Sequence, residues 1–156
     1  MLYARLRLIL VALFFIIGLV LHLLVGFGSA WYLYLGAGIL LATHFLFGTV
    51  WVAFSYLKKG KLELAERLID AMKRPEWLLK GHRAYYHFTK GMILLRRKQT
   101  GLAKPHLEEA LQLGLRTSTD KALANLNLAH LHYVEQKLDE SEHYLKAAKA
   151  SPTDRS

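Results

Sequence analysis

A pattern of small residues with a long period constrains the fold of this chain more than any other feature. Three similar stretches begin at the evenly spaced positions Ala53, Gly91 and Ala129: AFSYLKKGKLELAERLIDAM, GMILLRRKQTGLAKPHLEEA and AHLHYVEQKLDESEHYLKAA. In each stretch a second small residue follows twelve positions later, and apolar or small residues stand four and seven positions beyond it. Small residues on two successive helices let their backbones approach closely. The period therefore predicts pairs of antiparallel helices that stack, because each pair leaves an apolar face that the next pair covers.

At these residues the chain resembles the tetratricopeptide repeat family. The best matches are NLAHLHYVEQKLDESEHYLKAA, residues 127–148, and KGMILLRRKQTGLAKPHLEEAL, residues 90–111. The resemblance implies an all-α fold, a tetratricopeptide-like α-solenoid of about three helix pairs over 52–152, with 153–156 as a tail. The period, about 38, exceeds the 34 of the family, so we expect longer turns between the units. A helical bundle whose periodicity is accidental is the alternative.

The segment 1–57 has the composition of a membrane anchor. Arg5 and Arg7 are its only formally charged side chains, and the apolar stretches 8–25 and 31–57 are both long enough for a transmembrane helix. The pattern predicts a transmembrane helical hairpin whose second span continues, from about residue 52, as the first helix of the first repeat. A secretory signal peptide is the alternative for the first stretch, but its apolar run is longer than such peptides carry.

The net charge is +9, and the positions of the basic residues predict how this chain would be oriented in a membrane. Basic residues beside a span favour anionic lipid headgroups, so we expect headgroup contacts from Lys58, Lys59 and Lys61. Because the turn between the apolar stretches carries no charge, the orientation rule for Lys and Arg places both termini and the repeat domain in the cytoplasm. Nucleic acid is the competing partner of a basic chain, but no recognition motif accompanies the charge and we do not expect it.

No motif for catalysis, metal binding or cofactor binding is recognisable in the sequence, and we expect neither an enzyme nor a cofactor. The histidines outside the apolar stretches do not form an i, i+4 pair on one helix face. His22 and His44 stand alone within the apolar stretches, where a neutral imidazole is expected to hydrogen-bond a neighbouring helix.

Protein binding is the function that the resemblance implies. In the family, the first helix of each repeat lines a groove that grips peptide segments. The matching positions here are Tyr85, Phe88, Met92, Leu95, Leu123, Leu126, His130 and Tyr133. We therefore predict a membrane-anchored adaptor or scaffold that binds protein partners and assembles or stabilises a membrane-associated complex. The alternative is a small accessory subunit of an integral membrane complex, in which the spans make the specific contacts.

The last helix, predicted over about 139–150, provides a second candidate surface. Tyr144, Leu145 and Ala148 form an apolar stripe on it, and the six residues that follow are too few for a further helix. Because terminal units of such arrays need a cap, we predict that this edge is a site of partner docking or self-association.

Overall fold

The described residues form seven α-helices and one short 3₁₀ helix. The computed structural model describes the backbone over 2–26, 28 and 30–150, and the side chains of these residues apart from 2–8 and 41–48. The helices are α1 (Leu2–Val25), α2 (Trp31–Lys58), α3 (Leu62–Asp70), α4 (Lys80–Arg96), α5 (Thr100–Leu113), α6 (Ser118–Val134) and α7 (Leu138–Ala150), with the 3₁₀ helix at Pro75–Trp77. The prediction of an all-α protein is confirmed. The chain divides into two compact units, Met1–Thr49 and Val50–Ser156.

The predicted membrane anchor is wrong. Within the described part of the chain, no helix combines the length with the apolar character that crossing a membrane requires. This finding overturns the transmembrane hairpin, and with it the predicted localisation as an integral membrane protein. His44 and the tail 153–156 lie outside the described residues.

The first unit contains the contact between α1 and the first part of α2. The rings of Phe15 and Tyr34 meet edge to face at 5.5 Å between centroids, and the His22 ring lies 6.3 Å from that of Tyr34. A Cβ atom added to Gly18 would lie 3.2 Å from the Tyr34 ring. Gly18 therefore permits the close approach of the two helices.

The second unit repeats the same turn three times. Within each helix pair, one residue adopts a left-handed conformation: Gly60 (φ 71°), Lys98 (φ 61°) and Gln136 (φ 60°). The next amide donates to the carbonyl five residues before it, at 2.9 Å in every case: Lys61 to Tyr56, Gln99 to Leu94 and Lys137 to His132. This pattern closes the end of a helix by capping its last carbonyls. The period of the sequence is therefore also a period of the backbone, and the three pairs are the end of α2 with α3, α4 with α5, and α6 with α7.

The small residues at the repeated positions lie where the helices of a pair meet. A Cβ atom on Gly91 would lie 2.9 Å from the Leu107 side chain and 3.3 Å from the carbonyl oxygen of Ala103. In the last pair, Ser141 Oγ donates to the carbonyl oxygen of Ala129 at 2.9 Å. Ser141, at a position that favours Ala, thus satisfies its hydroxyl on the facing backbone.

One apolar core joins all three pairs. It contains residues from the end of α2, from α4 to α6 and from the connecting segments, among them Val50, Phe54, Leu78, Tyr85, Phe88, Leu107, Leu115, Leu128 and Leu131. The connections between successive pairs contribute Leu78 and Leu115 to this core. Val50 and Phe54, near the end of α2, thus belong to the core of the second unit.

Candidate protein-binding surface

Equivalent positions of α4 and α6 differ sharply in burial. Tyr85 and Phe88 of α4 are 0% and 1% exposed, whereas Leu123 and Leu126, at the same positions of the next repeat on α6, are 40% and 47% exposed. All four belong to the predicted groove. The structure therefore places two of them in the core and two on the surface.

Tyr85 and Phe88 are buried by aromatic neighbours. The Tyr85 ring lies 4.6 Å from Trp51 and 5.1 Å from Phe54, and Phe88 lies 5.8 Å from Phe54. The Tyr85 hydroxyl donates to Asp120 at 2.7 Å. Burial and this hydrogen bond raise the pKa of Tyr85. These two side chains stabilise the packing of successive pairs and offer no surface to a partner.

Four predicted groove residues form an exposed stripe on the last pair. Leu123, Leu126, His130 and Tyr133 are spaced by three, four and three residues, which places them on one face of α6. All four are exposed, and the exposed fraction of Tyr133 is 64%. We call this set the α6 stripe. Their counterparts on α4 are more buried, since Met92 and Leu95 are half-buried against the core.

Sequence reasoning missed several residues beside this surface. Val134 and Leu138 are exposed at the turn that follows the α6 stripe. They are the last residue of α6 and the first residue of α7, positions to which the repeat pattern assigned no contact. Asp120 was also missed: it is 4% exposed and receives the Tyr85 hydroxyl. The pattern Thr117-x-x-Asp120 was its available signal, and the Thr117 side chain does cap α6 by accepting from the Asp120 amide at 3.0 Å.

The predicted edge on α7 is reduced to one clearly exposed apolar residue. Ala148 is buried, and the Tyr144 ring stacks on His132 at 5.2 Å between centroids. Burial raises the pKa of Tyr144. Leu145 is 38% exposed, although its counterparts in the earlier pairs, Ile69 and Leu107, are 0% exposed. Leu145 therefore marks the face that the next pair covers in the earlier units.

Ion pairs connect successive helix pairs at one repeated position. Arg97 Nη2 donates to Glu66 Oε2 at 2.7 Å, which links the end of α4 to α3. The equivalent positions of the next repeat are Glu135 and Lys104, and Lys104 Nζ donates to Glu135 Oε2 at 2.9 Å. The position is thus the same and the charges are reversed. Hydrogen bonds from Lys104 and then Lys137 lower the pKa of Glu135 to about 2.

Two histidines meet between α4 and α5. Nδ1 of His87 and Nδ1 of His106 lie 2.9 Å apart, so one ring donates to the other. Burial is the main cause that lowers the pKa of both side chains. The described residues contain no group of three or more side chains that could together hold a metal ion.

The lysines predicted to contact lipid lie at the first turn of the repeat. Lys58, Lys59 and Lys61 are exposed, and Lys58 Nζ lies 4.5 Å from the centroid of the Phe54 ring. That distance is typical of a cation–π contact. Lys58 therefore also covers an edge of the core.

Comparison of the chain with protein-family models, with curated protein sequences and with solved structures gives no match. The resemblance to tetratricopeptide repeats therefore stays a prediction from the residues that carry it. The functional argument depends on the surface of the helix pairs themselves.

Proposed function

We propose that the second unit is a tetratricopeptide-like adaptor or scaffold that binds protein partners through the α6 stripe. The observation that carries the proposal is the difference in burial between Leu123 and Leu126 on α6 and Tyr85 and Phe88 on α4. The same repeat position is core in one pair and surface in the next. A row of exposed apolar and aromatic side chains of this kind is typical of a protein-binding surface.

The chemistry of the α6 stripe suits a helical or extended peptide. Two leucines supply apolar area, and Tyr133 combines a large ring with a hydroxyl, a residue type that is enriched at energetically important contacts. His130 adds a polar group between them. Asn127, beside the stripe, is held by its hydrogen bond to the Leu123 carbonyl at 2.7 Å. The Asn127 amide beside the stripe is therefore bound to its own helix.

The proposal is tested by changing the stripe without disturbing the core. The double substitution Leu126→Glu and Tyr133→Glu places charge on two exposed positions, and Gln112→Glu on α5 is the control, since Gln112 is also exposed. Proteins cross-linked to the full chain in its source cells are compared by quantitative mass spectrometry. We expect a defined partner to bind the unchanged chain and the Gln112 variant, and to be lost from the stripe variant, with helicity by circular dichroism unchanged.

An unchanged set of cross-linked proteins in the stripe variant would refute the role of the α6 stripe. If no protein cross-links to the unchanged chain above background, the adaptor function itself is refuted.

A further inference from the structure

The face of the last pair beyond α7 has a chemistry that can be read from the two earlier interfaces. We call it the end face and define it by Glu142, Leu145 and Lys146. Its counterparts in the first pair are Glu66, Ile69 and Asp70, and in the second pair Lys104, Leu107 and Glu108. Of these counterparts, Ile69 and Leu107 are 0% exposed.

The same repeat positions are buried together in both earlier interfaces. Ile69 shares a buried cluster with Ile93 of α4, and Leu107 shares the main core with Leu131 of α6. Ile93 and Leu131 are themselves equivalent, one full repeat apart. The next helix therefore supplies one aliphatic side chain near this position, and among the described residues no following helix covers Leu145, which is 38% exposed.

The charged contact is also set by register. In the first interface Arg97, four residues after Ile93, pairs with Glu66; in the second, Glu135, four residues after Leu131, pairs with Lys104. Glu142 occupies the position of Glu66 and Lys104. On a helix bound at the end face, a basic residue four positions after the aliphatic residue would therefore pair with the Glu142 carboxylate.

A second charged contact exists in the first interface. Lys90, three residues before Ile93, pairs with Asp70. The end face has Lys146 at the position of Asp70, so the complementary residue is acidic and lies three positions before the aliphatic one. Glu142 and Lys146 at present pair with each other at 2.7 Å as exposed side chains. A pair of this kind along one helix contributes only a few tenths of a kcal/mol, so a partner can exchange it.

We infer that the end face binds an α-helix of another protein that carries an acidic, an aliphatic and a basic residue in the spacing acidic-x-x-aliphatic-x-x-x-basic. This inference rests on the proposed protein-binding function and names the partner chemistry of a second surface. The three residues lie on one face of a helix, because positions separated by three and four residues are neighbours there. The aliphatic residue covers Leu145, the basic residue pairs with Glu142, and the acidic residue pairs with Lys146.

The experiment uses two synthetic helices and the full chain. Each peptide is an Ala- and Gln-rich helix of about 17 residues, long enough to be helical in water. One carries Glu, Leu and Arg in the stated spacing, and the other carries Lys, Leu and Glu at the same places. Each is titrated into the ¹⁵N-labelled chain while amide chemical shifts are followed. We expect the first peptide to bind about tenfold more tightly, since two weak ion pairs become two repulsions in the second.

A charge-exchanged variant, Glu142→Lys with Lys146→Glu, provides the decisive control. Its exposed side chains can exchange sign without a change in the core, and it should prefer the second peptide by a similar factor. Equal affinity of both peptides for both proteins, or no binding by a folded chain, overturns the inference.

Two other outcomes also overturn it while leaving the proposed function intact. If the shifts centre on Leu126 and Tyr133, the peptide binds the α6 stripe and not the end face. If the chain self-associates and the charge-exchanged variant alters that equilibrium, then a second copy occupies the end face. The latter is a defined alternative because α7 itself carries Glu142, Leu145 and Lys149 in the stated spacing.

Discussion

The contact between Tyr85 and Asp120 offers a direct test of how successive helix pairs are joined. Tyr85→Phe removes one hydroxyl and keeps the ring, so the aromatic packing on Trp51 and Phe54 is preserved. It also removes the donor that lies 2.7 Å from a carboxylate that is 4% exposed. The substitution therefore isolates one hydrogen bond between α4 and α6.

The expected cost follows from the burial of both partners. A hydrogen bond to a charged group contributes roughly 1.5–3 kcal/mol, and a buried acceptor that loses its donor also keeps its desolvation penalty. We expect the free energy of unfolding to fall by about 2 kcal/mol. For a unit of roughly 100 residues this lowers the melting temperature by about 8 °C.

Urea denaturation followed by circular dichroism measures the change, with Tyr86→Phe as the control. Tyr86 is half-buried beside Lys90 and Asp70, and its variant should lose less than about 0.5 kcal/mol. A double-mutant cycle with Asp120→Asn should give a coupling energy above about 1 kcal/mol. If Tyr85→Phe and Tyr86→Phe cost the same, or if the cycle shows no coupling, then this hydrogen bond does not join the two pairs.

Three further predictions follow from the geometry. Gly91→Ala should destabilise the fold by about 1–2 kcal/mol, because the added Cβ meets a buried leucine and a backbone oxygen. Gly101 has open space around it, so Gly101→Ala should raise the free energy of unfolding by up to about 1 kcal/mol. Thermal melts that show equal effects for the two variants would contradict the close approach at Gly91. Lys98→Gly should stabilise the fold by about 0.5–1 kcal/mol, because Lys98 has a left-handed conformation with φ of 61°. Chemical denaturation measures the free energy of unfolding. A lower value for the variant would show that contacts of the Lys98 side chain outweigh the strain of the turn. His87 and His106 have pKa values lowered mainly by burial, so on acidification the unfolded chain binds protons before the folded chain does. The free energy of unfolding should therefore be constant above about pH 7 and fall below about pH 6.5. Urea midpoints at several pH values test this, and His106→Gln should reduce the pH dependence.

Local pattern was enough to predict that the second unit is helical. The spacing of Ala53, Gly91 and Ala129 indicated where helix backbones approach, and the structure repeats the turns with the same period. Such features depend on residues close in sequence, since helix formation, capping and small-residue contacts are local. The predicted membrane hairpin was wrong.

Tertiary structure alone decided which side of each repeated helix is core and which is surface. Tyr85 and Leu123 occupy the same position in the sequence pattern, yet one is buried by the neighbouring pairs and the other is exposed. The pairing of Arg97 with Glu66, and its reversed counterpart at Lys104 and Glu135, was equally invisible in the sequence. The reason is physical: a repeat pattern specifies each unit, whereas burial and ion pairing depend on whether another unit lies beside it, and no unit of this kind follows the last one within the described residues.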